Sequence, residues 1–438
     1  KRLSILVQYE NKNILISKGA VKNILEISQF IEIDTNVEPL TKDIKNDIIT
    51  ALNKYSENGY RVLGIAYKIF DKEVITYEDE SLMIFLGFLI FEDPLKENIE
   101  NLVKELTQKG VRIVILTGDN RYVAKHIGQK LGLNNMLTSE DLHKIHPDAL
   151  IKVVEKYDTF AELTPSQKED IIQALKKSGN VVGYIGDGVN DVPPMKSADV
   201  AISVDNAVDI AKESADIVLL KNDLKVILDG ILEGRKAFIN TLKYIFMQTS
   251  SNFGNIFSMA GASFIIPFLP LLPKQVLFQN FLTDFAVISI PKDNVDEDWI
   301  EKPRKWDFHF IKYFMIVFGL ISSLFDFITF FTLIYGFKVS QVEFRSGWFI
   351  EALLTQIFVI LILRTKHRFY QSKPNNYLLY TVLAVGLIGF IIPFTYLGNI
   401  LEIYPLPLNL LVAILFIVIG YIVLVETVKF WFYKKISF

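Results

Sequence analysis

The sequence predicts a soluble half made of an α+β unit and an α/β (Rossmann-type) domain on a parallel sheet, followed by a six-helix α-helical transmembrane region. Three observations predict it. Charged residues crowd the first half of the 438-residue chain and long apolar runs fill the second, so the 51% hydrophobic content averages two unlike parts. Within the first half, two short β-branched runs each end in a glycine-flanked carboxylate, at LTGDN (Leu116 to Asn120) and GDGVND (Gly186 to Asp191). In the second half, short polar loops separate apolar stretches near the ~20 residues that a bilayer requires. A net charge of −3 with scattered basic residues gives no footprint for a nucleic-acid partner. The absence of cysteine excludes disulfides and thiolate metal sites.

Residues 1–88 read as the α+β unit. RLSILVQY and NILISKG pair as a hairpin across Glu10 to Lys12, helical patterns cover 21–30 and 42–58, and further strands cover 61–69 and 82–90. Residues 89–232 alternate strand and helix, with strands at 111–116 and 181–185 and a helix at 122–131. Asp93-Pro94 breaks the strand before it. A charged helix starting over 226–240 leads into the membrane region, residues 233–438. Its six spans are 243–266, 271–290, 311–336, 347–363, 377–397 and 406–430. Lys292, Lys302, Arg304, Lys305 and Lys312 share one side with Arg364, Lys366, Arg368, Lys373, Lys434 and Lys435, whereas the other side holds little beyond Lys274, Lys338 and Arg345. The excess of positive charge puts the first side, with residues 1–232, in the cytoplasm.

The carboxyl edge of a parallel sheet is where ligands sit, and both glycine turns lie there. Asp187 and Asp191 can face a cation at one edge with Asn190 beside them, while Thr117, Gly118 and Asp119 form the other. Lys168, in LTPSQK between the two edges, adds an ammonium. A cation to bridge oxygens, with a hydroxyl and an ammonium to hold the phosphoryl group, is what a phosphoryl-transfer site needs. The acceptor is missing, because no strand-end aspartate here is followed by Lys-Thr-Gly-Thr.

Polar residues recur at membrane depth. Asn252 and Asn255 share a face of the first span, Asn280 and Asp284 a face of the second, and Asp326 lies on the third. An acid in hydrocarbon is costly, so Asp284 and Asp326 read as functional, with a protonated acid bonding between helices as the alternative. Asn252 is the weaker member of the set. Glu351 lies one turn from the outer end of the fourth span, where reaching the surface and serving function are equally open to it. Oxygen ligands alone suit a hard cation, calcium as well as magnesium.

GDGVNDVPPMKSADVAIS, LTGDN and LTPSQK resemble the phosphorylation-domain signatures of P-type cation-transporting ATPases, whose catalytic domain has the haloacid dehalogenase-like fold. SKGA and GYRVLGIAYK are similar to their nucleotide-binding domain, and FEDPLKE to the return hinge. LPLLPKQVLFQNFLTD and IPKDNVDEDWIEKPRKWD resemble the magnesium-importing branch. The resemblance implies ATP and Mg2+ as cofactors, Lys18, Arg61, Asp93, Thr117, Gly118, Asp119 and Lys168 as nucleotide or phosphate contacts, and Asp187 and Asp191 as ligands of the catalytic metal. From their own chemistry alone, Lys18 and Arg61 are surface cations. It further implies magnesium import across the cell inner (cytoplasmic) membrane; Asn255, Asn280, Asp284 and Asp326, which bring oxygen ligands together at mid-bilayer depth, are expected to hold the transported ion in the lipid bilayer. A sequence that opens mid-strand without an initiator Met is then expected to be the C-terminal half of a pump. The actuator domain, the first four helices and the phosphorylated Asp would come from its N-terminal part. Val21 and Glu162 depart from the family pattern, Glu162 standing where an arginine is usual, which bears on ATP affinity. The rival class is a non-pumping membrane protein with a degenerate phosphatase-like domain.

Overall fold

Apolar and polar residues trade places with period 2 in RLSILVQY and KNILISKGA, so each strand can bury one face and leave the other open. The computed structural model describes residues 2–9, 12–70, 74–92, 95, 98–221 and 223–436. Glu10 and Asn11 of the expected turn and most of the FEDPLKE stretch, Asp93 included, lie outside the described residues. β1 (Arg2–Tyr9), β2 (Lys12–Ala20), α1 (Val21–Ile27), β3 (Ser28–Ile33), β4 (Asn36–Pro39), α2 (Lys42–Glu57), β5 (Arg61–Phe70) and β6 (Met83–Phe91) form a six-stranded sheet in the order β1-β2-β5-β6-β3-β4 with two helices. Leu15, Ala66, Met83 and Phe85 of the sheet pack with Ile24 of α1 and Ile48 of α2. The expected helix over 21–30 stops at Ile27. Phe30 and Ile31 pair instead in parallel with Ile84 and Phe85 of β6, and the Ser28 hydroxyl closes α1 by donating to the Ile24 carbonyl at 2.7 Å. Tertiary pairing of β-forming residues overrides the helical period there.

The next segment alternates helix and strand: α3 (Ile99–Gln108), β7 (Ile115–Leu116), α4 (Arg121–Lys130), β8 (Met136–Thr138), α5 (Ser139–His143), α6 (Pro147–Val153), β9 (Thr159–Ala161), α7 (Pro165–Lys177), β10 (Gly183–Ile185), α8 (Val192–Ser197), β11 (Val200–Val204), α9 (Asp209–Glu213) and β12 (Ile217–Leu219). Its strands run parallel in two sheets, β7-β9-β8 and β10-β11-β12. Leu116 and Val182 pack into the cores of both. The strand expected over 111–116 is paired only at Ile115 and Leu116. Ahead of it the Val111 amide caps α3 on the Leu106 carbonyl, and Arg112 is fastened to the carbonyls of Val154 and Tyr157.

A second compact unit runs from Asp229 to Phe438. Its helices are α10 (Lys225–Ile265), which begins just before it, α11 (Pro273–Val287), α12 (Glu297–Ile300), α13 (Phe308–Phe331), α14 (Gln341–Leu363), α15 (Asn376–Ile391), α16 (Tyr396–Leu401) and α17 (Leu408–Lys435). The stretches Phe308–Gly336, Gln341–Leu363, Asn376–Phe394 and Leu408–Lys435 are long and apolar enough to cross a membrane, as expected of a multi-pass membrane protein. The charged helix and first span expected separately form one continuous 41-residue helix, α10. α14 is central: 89% of its most apolar stretch is buried, against 28–39% in the other three. It starts at Gln341 rather than 347 because Ser340 and Glu343 form a reciprocal capping box.

One buried ion cluster ties the helix ends together. The Asp293 carboxylate, after α11, accepts from Arg364 Nε at the end of α14 (2.9 Å), from Lys243 Nζ of α10 (2.7 Å) and from the Asn375 amide that starts α15 (3.2 Å). All three side chains are at most 2% exposed. Asp293→Asn strands two cations in a dry site and is expected to cost about 3–5 kcal/mol. Thermal unfolding of the purified protein checks it, a large fall in Tm being expected and an unchanged Tm refuting the cluster's role.

Candidate functional site at two strand edges and in the membrane core

LTPSQK starts a helix for a physical reason. Thr164 caps α7 in a reciprocal box with Gln167, and Pro165 occupies the first turn, where its missing N–H costs nothing. Lys168 is thereby held on the first turn of α7, and its Nζ reaches Asp191 Oδ1 at 2.9 Å. The same oxygen accepts from the Tyr184 hydroxyl (2.7 Å), and Oδ2 from the Gly188 amide (3.2 Å). Burial alone would raise the Asp191 carboxyl, but the bonds from Lys168 and Tyr184 hold it below its usual range. Burial, then donation to Asp191, pushes the Tyr184 phenol well above its usual value. Gly186 is required, because a Cβ there would lie 2.5 Å from that of Asp191.

Asp191, expected from the sequence to be a metal ligand, already accepts from Lys168, Tyr184 and Gly188. Asp187, one residue past the Gly186 turn at the end of β10, is exposed, and its carboxylate has no hydrogen-bond or ion-pair partner among the described residues. Asn190 is exposed beside it. An open carboxylate and an amide oxygen fit a hard cation such as Mg2+. Tyr184, the second partner of Asp191, was missed by sequence reasoning, which placed it only within the strand 181–185.

At the other edge, the Thr117 hydroxyl accepts from the Asp119 amide and donates to its carboxylate, both at 3.0 Å. The turn docks on the chain after β9: Leu163 N–H donates to Thr117 O, Glu162 N–H to Asp119 O, and a Cβ on Gly118 would lie 3.3 Å from Leu163 O. Glu162, at φ +59°, takes Arg121 Nε and Nη2 at 3.1 and 2.9 Å. Arg121 holds the Glu162 carboxyl below its usual range. Arg121 thus brings a positive charge beside Glu162.

Lys18 and Arg61 are exposed. Lys18 pairs directly with Ile65 of β5, four residues from Arg61, so the two cations share a face of the sheet.

The membrane residues occupy three levels along α10. Gln248 Nε2 donates to Asp284 Oδ1 (3.3 Å); Asn255 Oδ1 accepts from Gln356 Nε2 (2.8 Å); Ser258 Oγ donates to Asp326 Oδ2 (2.6 Å). Gln356 is joined in turn to the Thr283 hydroxyl at 3.1 Å. Asn280 and Asp284 do share a face, and it is exposed, as is Asn252. Asp326 is 2% exposed and does not join them: Gln248 and Ser258 are ten positions apart on α10, about 15 Å along its axis. Glu351 does not reach the surface. It is fully buried, because the earlier start of α14 puts it ten residues, about 15 Å, inside the helix. Gln248 and Gln356 were missed; each aligns with a predicted residue only in three dimensions.

Three family models match the chain: the cytoplasmic domain N of P-type ATPases over residues 1–98, a haloacid dehalogenase-like hydrolase over 166–231, and the C-terminus of cation-transporting ATPases over 268–431. Among curated proteins, a magnesium-transporting ATPase, P-type 1, of Salmonella typhimurium is 38% identical over 99% of this chain and 49% of its own length. The protein of that name from Escherichia coli K12 is 38% identical over 99% of this chain and 50% of its own. A calcium-transporting ATPase 1 of Bacillus cereus is 31% identical over 69% of this chain and 35% of its own. The chain spans about half the length of the magnesium-transporting relatives.

Lys168→Met removes the cation from Asp191 and is expected to lower stability by about 1.5–3 kcal/mol at pH 7. Because the folded Asp191 is held below its usual range, its contribution is complete above the ordinary carboxylate value near pH ~4 and is lost as pH falls through the lower folded value. Thermal unfolding of wild type and variant should differ at pH 7 and converge below that. A gap independent of pH would refute the pairing.

Proposed function

The chain belongs to the P-type cation-transporting ATPases, and from that premise we propose that it is the C-terminal half of an ATP-driven magnesium importer of the cytoplasmic membrane, working through a phosphoaspartate intermediate. The observation that carries this reading is identity of 38% with magnesium-transporting ATPases, sustained over 99% of the chain and so across both its soluble and its membrane parts. Residues 1–88 serve as part of the nucleotide-binding domain, 89–232 as the phosphorylation domain and 233–438 as the membrane domain. α10 and α11 complete six spans with the four helices already long and apolar enough, and residues 1–232 lie in the cytoplasm. The acceptor aspartate comes from the N-terminal part of the pump, with the actuator domain and the first four helices.

Lys18 and Arg61, on one face of the N-terminal sheet, contact ATP together with Asp93. The Thr117 hydroxyl and the Lys168 ammonium hold the transferred phosphoryl group, with Gly118 and Asp119 shaping the turn. Asp191 is a positioning residue that fixes Lys168. Asp187 and Asn190 would hold the catalytic Mg2+, which would supply positive charge to offset that of the phosphoryl group. Magnesium as cargo is taken by Asp284 and Asn280 with Asn255, joined by Gln248 and Gln356. The exposed face of Asn280 and Asp284 supports this, because it leaves oxygens open to the helices that the N-terminal part supplies. Few acids among several amides suit an ion that keeps part of its water.

In the intact pump, Asp187→Asn should lower the acid-stable phosphoenzyme formed from ATP on the order of 100-fold. An unchanged level would remove Asp187 from the site. Asp284→Asn should abolish magnesium uptake and rescue of a magnesium-requiring strain while leaving ATP binding intact. Equal rescue by wild type and variant would refute the membrane site, calcium export by the wild type would change the ion, and the absence of any ATP-dependent flux would favour the non-pumping class.

A further inference from the structure

Asp326 of α13 and Glu351 of α14 bring two carboxyls within hydrogen-bonding reach in the core of the membrane unit, where Asp326 is 2% and Glu351 0% exposed. Asp326 is furnished with donors: Ser258 of α10 gives its O–H to Oδ2 at 2.6 Å and Trp348 of α14 its N–H to Oδ1 at 2.7 Å. Glu351 is not. Neither of its oxygens meets a donor among the described residues, and what it faces is the other acid.

The groups around the pair supply no counter-charge. α10 offers the Ser258 hydroxyl, α13 offers Ser322, α14 the Trp348 indole, and α17 the buried phenol of Tyr421, which is turned to Ser322. No lysine, arginine or histidine pairs with either carboxyl among the described residues. Two ionised carboxylates in contact in such surroundings repel each other, and each also loses its hydration. One proton resolves both costs by turning Glu351 into the donor that Asp326 can accept.

We propose that Asp326 and Glu351 form a proton-binding site in the membrane core, holding one proton between them at neutral pH and taking no divalent cation. Magnesium needs near-octahedral oxygen ligands and sheds water reluctantly. Here the Trp348 N–H, a donor that can ligate no metal, points at Asp326, and the Trp348 ring is packed edge-on against Phe330 at 4.8 Å. The fully buried Leu333 and Phe344 belong to the same cluster. The pair differs in chemistry from the amides and Asp284 proposed for the transported ion, and its partner Ser258 lies ten positions along α10 from Gln248, the partner of Asp284; the inference does not depend on that reading.

Infrared spectroscopy of the full-length protein in lipid, without ATP, tests it through the C=O stretch of a protonated buried carboxyl. The expected result is such a band at pH 7 in wild type and in Asp284→Asn, lost in Glu351→Gln, where the remaining Asp326 is ionised and fully supplied with donors. In Asp326→Asn the band should persist, shifted, because Glu351 stays neutral. Absence of the band from wild type, its survival in the Asp326→Asn/Glu351→Gln double variant, or its removal by Mg2+ and return with chelator would overturn the proposal. The wild-type measurements stand even if a variant fails to fold, and a protein that pumps nothing would still give the band.

Discussion

A carboxylate taken out of water must find a cation, a set of donors or a proton, and this chain is arranged around how its acids meet that demand. Asp293 meets it with two cations, Lys243 and Arg364, and in doing so joins α10, the segment after α11 and the ends of α14 and α15. Asp191 meets it with Lys168, Tyr184 and the Gly188 amide, which fixes the ammonium beside the β10 edge. Asp187, exposed on the same turn, has no such partner among the described residues. The difference between a structural acid and a working one is thus set by how many of its lone pairs the protein has already used.

The membrane unit applies the same rule along one helix. α10 carries Gln248, Asn255 and Ser258 in succession, and each is bonded to a different neighbour: Asp284 of α11, Gln356 of α14 and Asp326 of α13. Close approach of α10 and α13 lets this happen, since the Ser323 hydroxyl of α13 donates to the Gly254 carbonyl at 3.0 Å. Small residues on that seam exchange side-chain volume for contact between backbones.

Local signals were legible in the sequence where chemistry and period agreed. The hairpin of β1 and β2 and the two glycine turns could be read from short stretches. What could not be read depended on distant partners. Strand β3 looks helical until β6 is there to pair with it, and Glu162 looks like a lost phosphate contact until Arg121 is seen beside it. Asp191 reads as a metal ligand for the same reason, because Lys168 is 23 positions away in sequence and 2.9 Å away in space. In the membrane half, helical spacing grouped Asn280 with Asp284 correctly but could not assign a level to Asp326, which requires knowing which residue of α10 it meets. Glu351 was misread because the cap at Ser340, outside the apolar run, adds nearly two turns to the helix.

The near-complete burial of α14 has a consequence for how the protein is made. A helix that touches little lipid in the finished protein must still enter the bilayer, and an acid at its centre costs about 2.5–3.5 kcal/mol on insertion scales. Alone, α14 would carry Glu351 into hydrocarbon with nothing to answer it. Chain order removes the difficulty: α13 emerges from the ribosome first, so Asp326 is already at hand when Glu351 arrives, and the two helices can be released into the membrane as a pair.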